Sequence, residues 1–457
     1  MKNFRFTTRL LMGAAIAFAA MAPLTSCSDD DDDDEITPTP PSTSGPTAQE
    51  QAFIDHFTNN NNTSFDVGML SATSLIPSNT PPTGDMPPND GFYDQVNYKG
   101  AFGTSDWTDG WTYLSGDKRT FNDNKPKKTI TDADINGSVT FDKDTIYILQ
   151  GFVFVENGEN LTIEAGTVIK GKSGQGASAS ALIVAVGGMI MANGTAAEPI
   201  IMTYEGDNGT AQATNVTGEW GGLIILGSAE LNSNPGQTQI EGIPTTETRG
   251  LYGGTDNADN SGTLRYVSIR HGGTDIGAGN EINGLSLGGV GSGTTIEYVE
   301  VAPTKDDGVE WFGGTVNTKY LVVAYAGDDS YDYDEGFRGK GQFWLTVQGP
   351  DGDRGGEHDG GTDPETAMPY ATPVVYNATY IGNGGSSRAI TFRDNAGGQY
   401  HNSIFHSFGR GIDIEDLASG EDSYSRFESG ELALKGNVFT NIDAGTNAGD
   451  IFTVTVP

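Results

Sequence analysis

The chain has 457 residues and a formal net charge of −36, although only 19% of its residues are charged and 65 are glycine. The acidity argues against nucleic acid as a partner, because a phosphate backbone is held by lysine and arginine. Cys27 is the only cysteine, so the chain after it has no thiol for a disulfide, a thiolate metal site or a cysteine nucleophile.

The first 26 residues have the pattern of a secretory signal peptide. Basic residues (Lys2, Arg5 and Arg9) precede an apolar, alanine-rich run over residues 10–22, which is too short for an ordinary membrane span. Leu-Thr-Ser stands immediately before Cys27 and resembles the bacterial lipobox, in which the cysteine becomes the lipidated first residue of the mature protein. The resemblance implies lipidation, and thus palmitate, at Cys27.

Residues 27–46 are predicted to be a flexible tether. The acidic run over residues 29–35 repels itself, and the Pro/Thr/Ser-rich stretch that follows cannot bury a core. An acidic run just after a lipobox resembles the surface-export signal of Bacteroidota lipoproteins. We therefore expect a lipid-anchored protein of the outer membrane that faces the cell exterior, with a periplasm-facing anchor as the alternative.

Residues 47–133 are predicted to be a loop-rich N-terminal segment that caps the next domain. Residues 47–57 suit one short helix, and residues 58–95 are rich in Asn, Pro and Gly. Trp107, Trp111 and Tyr113 are expected to pack over the open end of the following domain, where strand edges would otherwise be unpaired.

Residues 134–457 show short Val/Ile/Leu/Thr/Tyr runs that return about every 22 to 24 residues. Residues 388–394 align with residues 410–416, which places Ile390 over Ile412, and residues 296–301 align with residues 320–325. Such a period is the length of one coil of a parallel β-helix. Residues 205–217, 228–262 and 347–372 interrupt the period and are predicted to be loops that leave the coils.

Residues 161–203 resemble the opening coils of bacterial right-handed β-helix proteins. They contain Leu-Thr-Ile-Glu-Ala-Gly-Thr-Val-Ile-Lys-Gly from residue 161 and Ala-Asn-Gly-Thr-Ala-Ala-Glu-Pro-Ile-Ile-Met-Thr from residue 192. Residues 96–345 resemble Bacteroidota surface lipoproteins of the same fold, through segments such as Asp-Gly-Val-Glu-Trp-Phe-Gly-Gly at 307–314. The resemblance implies an all-β chain, a right-handed parallel β-helix with an N-terminal cap, but little about activity.

The acidic residues around position 330 are the candidate metal site. Asp306 and Asp307 precede Asp328 and Asp329 by one coil, so the two pairs should be neighbours at one corner. The additional candidates on the following turn are Asp332, Asp334 and Glu335. Carboxylates this close need water, protons or a cation, and Ca²⁺ suits an irregular oxygen cage. A hydrated acidic loop is the alternative.

Aromatic residues near the acidic cluster are candidate ligand-binding residues. The faces of Trp311, Tyr331, Tyr333 and Trp344 could stack on sugar rings, and packing in the core is the alternative. Arg393 is the fifth candidate: it should lie over Glu415 on the next coil, either as an ion pair or as part of a groove for a carboxylate or a sugar.

Three functions remain open at this point. The first is non-catalytic binding or presentation of a glycan, a peptide or a surface protein partner, beside a nutrient-uptake complex. The second is a polysaccharide lyase or glycoside hydrolase, although the Gly-His-Gly and Arg-Ile-Lys signatures of polygalacturonases are missing and no residue is assigned as catalytic. The third is a structural or adhesive spike. His358 is expected in a loop rather than in a catalytic position.

Overall fold

The computed structural model describes residues 45–116, 119–277, 280–361 and 364–456. The predicted signal peptide, the lipidation site at Cys27 and almost all of the tether lie outside the described residues. Within these ranges, no helix has both the length and the apolar character needed to cross a membrane.

Short parallel strands form three sheets that wind into a right-handed parallel β-helix, which confirms the predicted fold. Along the chain, each coil visits sheet one, then sheet two, then sheet three.

Sheet one contains Phe152–Val155, Ala181–Val184, Leu223–Leu226, Leu285–Gly288, Val309–Phe312, Tyr331–Asp334, Glu357–Asp359, the C-terminal parts of Thr379–Arg393 and Ile404–Glu415, and Phe452–Thr455.

Sheet two contains Ser138–Phe141, Asn160–Ile163, Met189–Asn193, the N-terminal parts of Gly262–Ile269, Thr295–Val301, Asn317–Ala324 and Lys340–Val347, and then Val374–Tyr376, Gly398–His401 and Leu432–Lys435.

Sheet three contains Lys127–Ile130, Ile146–Leu149, Val168–Gly171, Ile200–Tyr204, the C-terminal parts of the four long strands shared with sheet two, the N-terminal parts of Thr379–Arg393 and Ile404–Glu415, and Val438–Thr440.

The register confirms part of the predicted period and corrects part of it. Ile390 pairs with Ile412, as expected. However, Ile296 pairs with Thr318, 22 residues on, so the predicted offset of 24 was wrong there. In each of the four long strands shared by sheets two and three, one residue with a left-handed backbone makes the corner between the sheets. Such residues include Tyr298 (φ 54°) and Tyr320 (φ 58°), whose rings stack at 4.3 Å.

The N-terminal segment covers a different part of the solenoid from the one predicted. Its helix, Ala48–Asn59, packs at the C-terminal end, where Phe53 and Phe57 contact Phe452 with ring centroids 4.7 and 4.9 Å apart. The chain then runs back along sheet three to the first coil. Trp107 and Trp111 therefore pack edge-on against the corner tyrosines on the flank rather than over an open end. The first coil begins with the strand Lys127–Ile130, slightly before the predicted residue 134.

The predicted loops at residues 205–217 and 228–262 do leave the coils, and the second contains the antiparallel pair Thr238–Gln239 and Leu251–Tyr252. Residues 347–372 are not one loop, because Glu357–Asp359 is a strand of sheet one and His358 is fully buried in it. The remaining short elements are Asp132–Asp134, Gly176–Ser178, Thr248–Gly250, Asp275–Gly277, Asn280–Glu281, Ser423–Ser429 and Ala448–Ile451.

Candidate metal centre

Sheet one carries a row of carboxylates on its outer face. In strand Tyr331–Asp334 the tyrosines point into the solenoid, so the aspartates point outward, because successive side chains alternate across a strand. Glu310, Asp332 and Glu357 are paired in register on three consecutive coils. Neighbouring strands lie about 4.8 Å apart, so these acidic side chains are stacked on one another.

Two pairs of aspartates meet at the corner where these strands begin. Carboxylate oxygens of Asp306, Asp307 and Asp328 lie within 4.8 Å of one another, and oxygens of Asp328, Asp329 and Asp353 do the same. The backbone N–H of Asp329 donates to Asp307 Oδ1 at 2.9 Å, which ties one coil to the next. The structure thus brings the four predicted aspartates together.

The corner and the row of carboxylates enclose a narrow cleft with a cavity of about 10 Å³. Its lining consists of eight acidic side chains and one amide: Glu241, Asn283, Asp306, Asp307, Glu310, Asp328, Asp329, Asp332 and Glu357. Asp332 Oδ1 is buried there without a hydrogen-bond partner. This volume holds about one water molecule or ion.

Burial and mutual repulsion raise the pKa values of these acids. Burial raises the pKa of Asp307 well above its usual range, and the charges of Asp329 and Asp332 raise it further. Burial also raises the pKa of Asp329 to about 7, although the nearby Arg354 opposes the shift. The pKa values of Asp332 and Glu357 rise for the same two reasons. The cleft is therefore too crowded with negative charge to be fully ionised without a counter-charge.

Two arginines supply part of that counter-charge. Arg354 Nη1 lies 3.3 Å from Asp329, 2.9 Å from Asp353 and 3.0 Å from Glu357. Arg393 contacts Glu357 at 3.1 Å and Asp359 at 2.8 Å. The predicted Arg393–Glu415 ion pair was therefore wrong, because acids on the preceding coil hold the guanidinium.

Asp334 and Glu335 do not line the cleft, which corrects their predicted grouping with the corner aspartates. They stand at the far end of strand Tyr331–Asp334, where Glu335 accepts a hydrogen bond from Tyr252 Oη at 2.6 Å. An extended strand advances about 3.3 Å per residue, and this separates them from the corner.

The four candidate ligand-binding aromatics are core residues, so the predicted sugar platform was wrong. Trp311, Tyr331, Tyr333 and Trp344 are each 0% exposed. Trp311 stacks on Trp344 at 5.0 Å, and Tyr333 stacks on His358 at 3.9 Å. Trp311, Tyr331 and Tyr333 alternate along their strands with the outward acids Glu310 and Asp332, so they point inward, and Trp344 is buried from a strand that sheets two and three share.

The structure adds several residues to the site that were not predicted from the sequence: Glu241, Asn283, Glu310, Asp353, Arg354 and Glu357. Glu310 could have been found, because it precedes Asp332 by the same 22 residues that separate the aspartate pairs. Glu357 could not, because an insertion of irregular length precedes its strand.

A family model described as the pectate-lyase-like β-helix domain matches residues 133–455. The chain belongs to this family. Searches of curated proteins and of solved structures gave no match. The matched region contains the whole cleft and every strand of the three sheets except the first, Lys127–Ile130. Membership of the family accounts for the fold but does not identify a substrate.

The donor set of the cleft fits Ca²⁺. Ca²⁺ takes six to eight oxygen ligands at about 2.3–2.6 Å, so two ligands of one ion are at most about 5 Å apart. The 4.8 Å limit within each aspartate triad meets this requirement. The unpartnered Asp332 Oδ1 is one more oxygen suited to a cation, directly or through water.

Proposed function

We propose that this protein is a cell-surface lipoprotein of the outer membrane that binds Ca²⁺ in the acidic cleft and uses the ion to bind a glycan. The observation that carries the proposal is the convergence of eight carboxylates on a cavity of about 10 Å³. A divalent cation would neutralise the buried charge, and sugar hydroxyl or carboxylate groups would complete its coordination from the open side.

The glycan is supported by the family and by the chemistry around the cleft. Arg354 and Arg393 stand beside it as hydrogen-bond donors, while the outward acids are acceptors for hydroxyl groups. The net charge of −36 disfavours polyanions such as nucleic acid. The aromatic platform is no longer part of the proposal, because its residues are buried.

The test is a glycan array with the mature chain from Ser28, run in Ca²⁺ and in EDTA. We expect glycan binding in Ca²⁺, and we expect EDTA or the double variant Asp328→Asn/Asp329→Asn to abolish it. The matched control, Asp144→Asn/Glu428→Gln, removes two exposed carboxylates and should bind as the wild type does. Equal binding in Ca²⁺ and EDTA would refute the proposal.

Cleavage of a polysaccharide is the second candidate function. Asp332 and Glu357 are neighbouring carboxyl groups with raised pKa values, and two such groups could act as the acid and the base in glycan cleavage. Release of reducing ends or unsaturated sugars from a bound polysaccharide, lost in Asp332→Asn, would establish catalysis. Binding without products would favour the non-catalytic function.

The location is tested on the N-terminal segment. Cys27→Ala should abolish palmitate labelling and release the protein from the membrane. Replacement of residues 29–34 by alanine should leave the protein lipidated but protected from external protease. Unchanged surface cleavage of this second variant would show that the acidic run is only a spacer.

A further inference from the structure

A second group of acids lies at the opposite end of sheet one from the cleft. Asp394 follows the strand Thr379–Arg393, Glu415 ends the strand Ile404–Glu415 on the next coil, and Glu365 reaches them from the insertion before residue 374. Oxygens of the three carboxylates lie within 4.8 Å of one another. The cleft, by contrast, is where the strands of sheet one begin.

No arginine or lysine of the described residues forms an ion pair with these three carboxylates. Arg393 is the neighbour of Asp394 in the chain, but its guanidinium is held by Glu357 and Asp359. The backbone N–H of Asp394 donates to Glu415 Oε2 at 3.1 Å, and a neutral donor does not balance the charge of the acids. Burial raises the pKa of Asp394 to about 7; the charge of Asp359 adds to the shift, and the charge of Arg393 opposes it.

Asn395 gives an independent indication of a ligand. Its side chain is 0% exposed, and its Nδ2 donates to the carbonyl oxygen of Glu365 at 2.8 Å. This bond holds the amide on the side of the turn where Glu365 lies. Asn395 Oδ1, on the same carbon as Nδ2, is buried and has no hydrogen-bond partner. Leaving a buried oxygen without a hydrogen bond is unfavourable, and an amide oxygen is a ligand that Ca²⁺ accepts.

We propose that Glu365, Asp394, Glu415 and the amide oxygen of Asn395 bind a second Ca²⁺, separate from the one in the cleft. The mutual oxygen distances fit one ion by the same criterion as the cleft triads. The ion would replace the missing counter-charge, satisfy the buried amide and join the insertion that carries Glu365 to two successive coils. This site does not depend on the proposed glycan-binding function.

The experiment counts bound Ca²⁺ by isothermal titration calorimetry on the mature chain from Ser28, which keeps every described residue. We expect two ions for the wild type and for the Asp144→Asn/Glu428→Gln control. We expect one ion for Asp394→Asn/Glu415→Gln, one for Asp328→Asn/Asp329→Asn, and none for the two pairs combined. Glu365→Gln alone should weaken one of the two sites by at least about tenfold, because Ca²⁺ affinity follows the ligand charge.

The variants separate this site from the cleft. If the wild type binds one ion that only Asp328→Asn/Asp329→Asn removes, the second site is refuted and the cleft stands. If it binds one ion that only Asp394→Asn/Glu415→Gln removes, the second site stands and the cleft fails. If Asp394→Asn/Glu415→Gln does not fold, the single variant Glu365→Gln tests the second site instead, because Glu365 belongs to an insertion outside the coils and its replacement should not disturb the fold. A Ca²⁺ titration of Glu365→Gln that equals that of the wild type would refute the second site.

Discussion

The inner and outer faces of sheet one repeat with the same period but with opposite energetic consequences. On the inner face, Tyr333 and His358 occupy paired positions on successive coils, and their rings stack at 3.9 Å and gain contact area. On the outer face, Glu310, Asp332 and Glu357 stack in the same register and repel one another. Stacking in a solenoid multiplies the interaction of each repeated residue type, so repeated acids require a counter-charge that repeated aromatic residues do not.

The largest expected effect is a charge placed on the inner face. Ile412→Asp puts a carboxylate in a fully buried position between Ile390 and Phe452, with no partner. We expect a loss of about 3–5 kcal/mol in the free energy of unfolding, measured by denaturant titration. Damage should begin in the last coils, because coils contact only their neighbours. Arg410→Asp, exposed on the same strand, is the control, and equal stability of the two variants would contradict the assigned faces.

Calcium should stabilise the outer face. A ligand that binds only the folded state adds about 2.7 kcal/mol at a concentration one hundred times its Kd, so Tm should rise with the logarithm of the Ca²⁺ concentration. In Asp328→Asn/Asp329→Asn the contribution of the cleft should vanish, and Tm in EDTA should exceed that of the wild type because repulsion is relieved. Identical melting curves of the wild type in EDTA and in millimolar Ca²⁺ would show that the acidic cluster binds no Ca²⁺ and is only a hydrated acidic surface.

The outer face should also make stability depend on pH. Because burial raises the pKa of Asp329 and of Asp394 to about 7, the folded state holds protons that the unfolded state releases near pH 4. The stabilisation is complete below about pH 4 and is lost as the pH rises through about 7. Tm in EDTA should therefore fall over this range, and saturating Ca²⁺ should flatten the fall. A Tm in EDTA that rises between pH 5 and 8 would contradict the raised values.

The smallest expected effect compares two tryptophans that stack on each other inside the solenoid. Trp344 Nε1 donates to Thr318 Oγ1 at 3.0 Å, whereas Trp311 Nε1 is buried without a partner. Trp344→Phe should therefore cost about 1 kcal/mol more than Trp311→Phe in denaturant titrations, because only the first loses a hydrogen bond. Neither change should alter glycan binding. A loss of glycan binding in Trp311→Phe but not in Trp344→Phe would show that the Trp311 ring takes part in ligand binding.

Much of the acidic corner could be predicted, because it depends on one short and regular offset. Asp307 and Asp329 are 22 residues apart with no insertion between them, so coil stacking alone brings them together. Arg354 and Glu357 follow an insertion, and their place above Asp329 and Asp332 depends on how that insertion folds. Glu241 comes from a still longer excursion. Site residues that lie in or after irregular insertions have no regular spacing in the sequence, so their positions in the site could not be predicted.

The N-terminal segment shows the same limit. Its helix was predicted from a local pattern and is present at Ala48–Asn59, with Thr47 as the capping residue. The surface that the helix covers was not predicted, because a helix pattern specifies an apolar face but not the partner of that face. Phe53 packs edge-on against Phe427 and Phe452, which lie close to the C-terminus of the chain.

The parallel β-helix follows from the amino-acid pattern alone, since a repeated strand-and-turn pattern near 22 residues can bury its apolar face only by stacking on copies of itself. The same pattern also determined the convergence of the corner aspartates. The inward direction of the tyrosines and tryptophans, the packing of the N-terminal helix on the last coils and the contacts of Arg354 with the acids became visible only in the folded molecule. The physical reason is that stacking is a contact between neighbouring repeats, whereas a sheet face, an end cap and an insertion are defined by contacts between segments far apart in the chain.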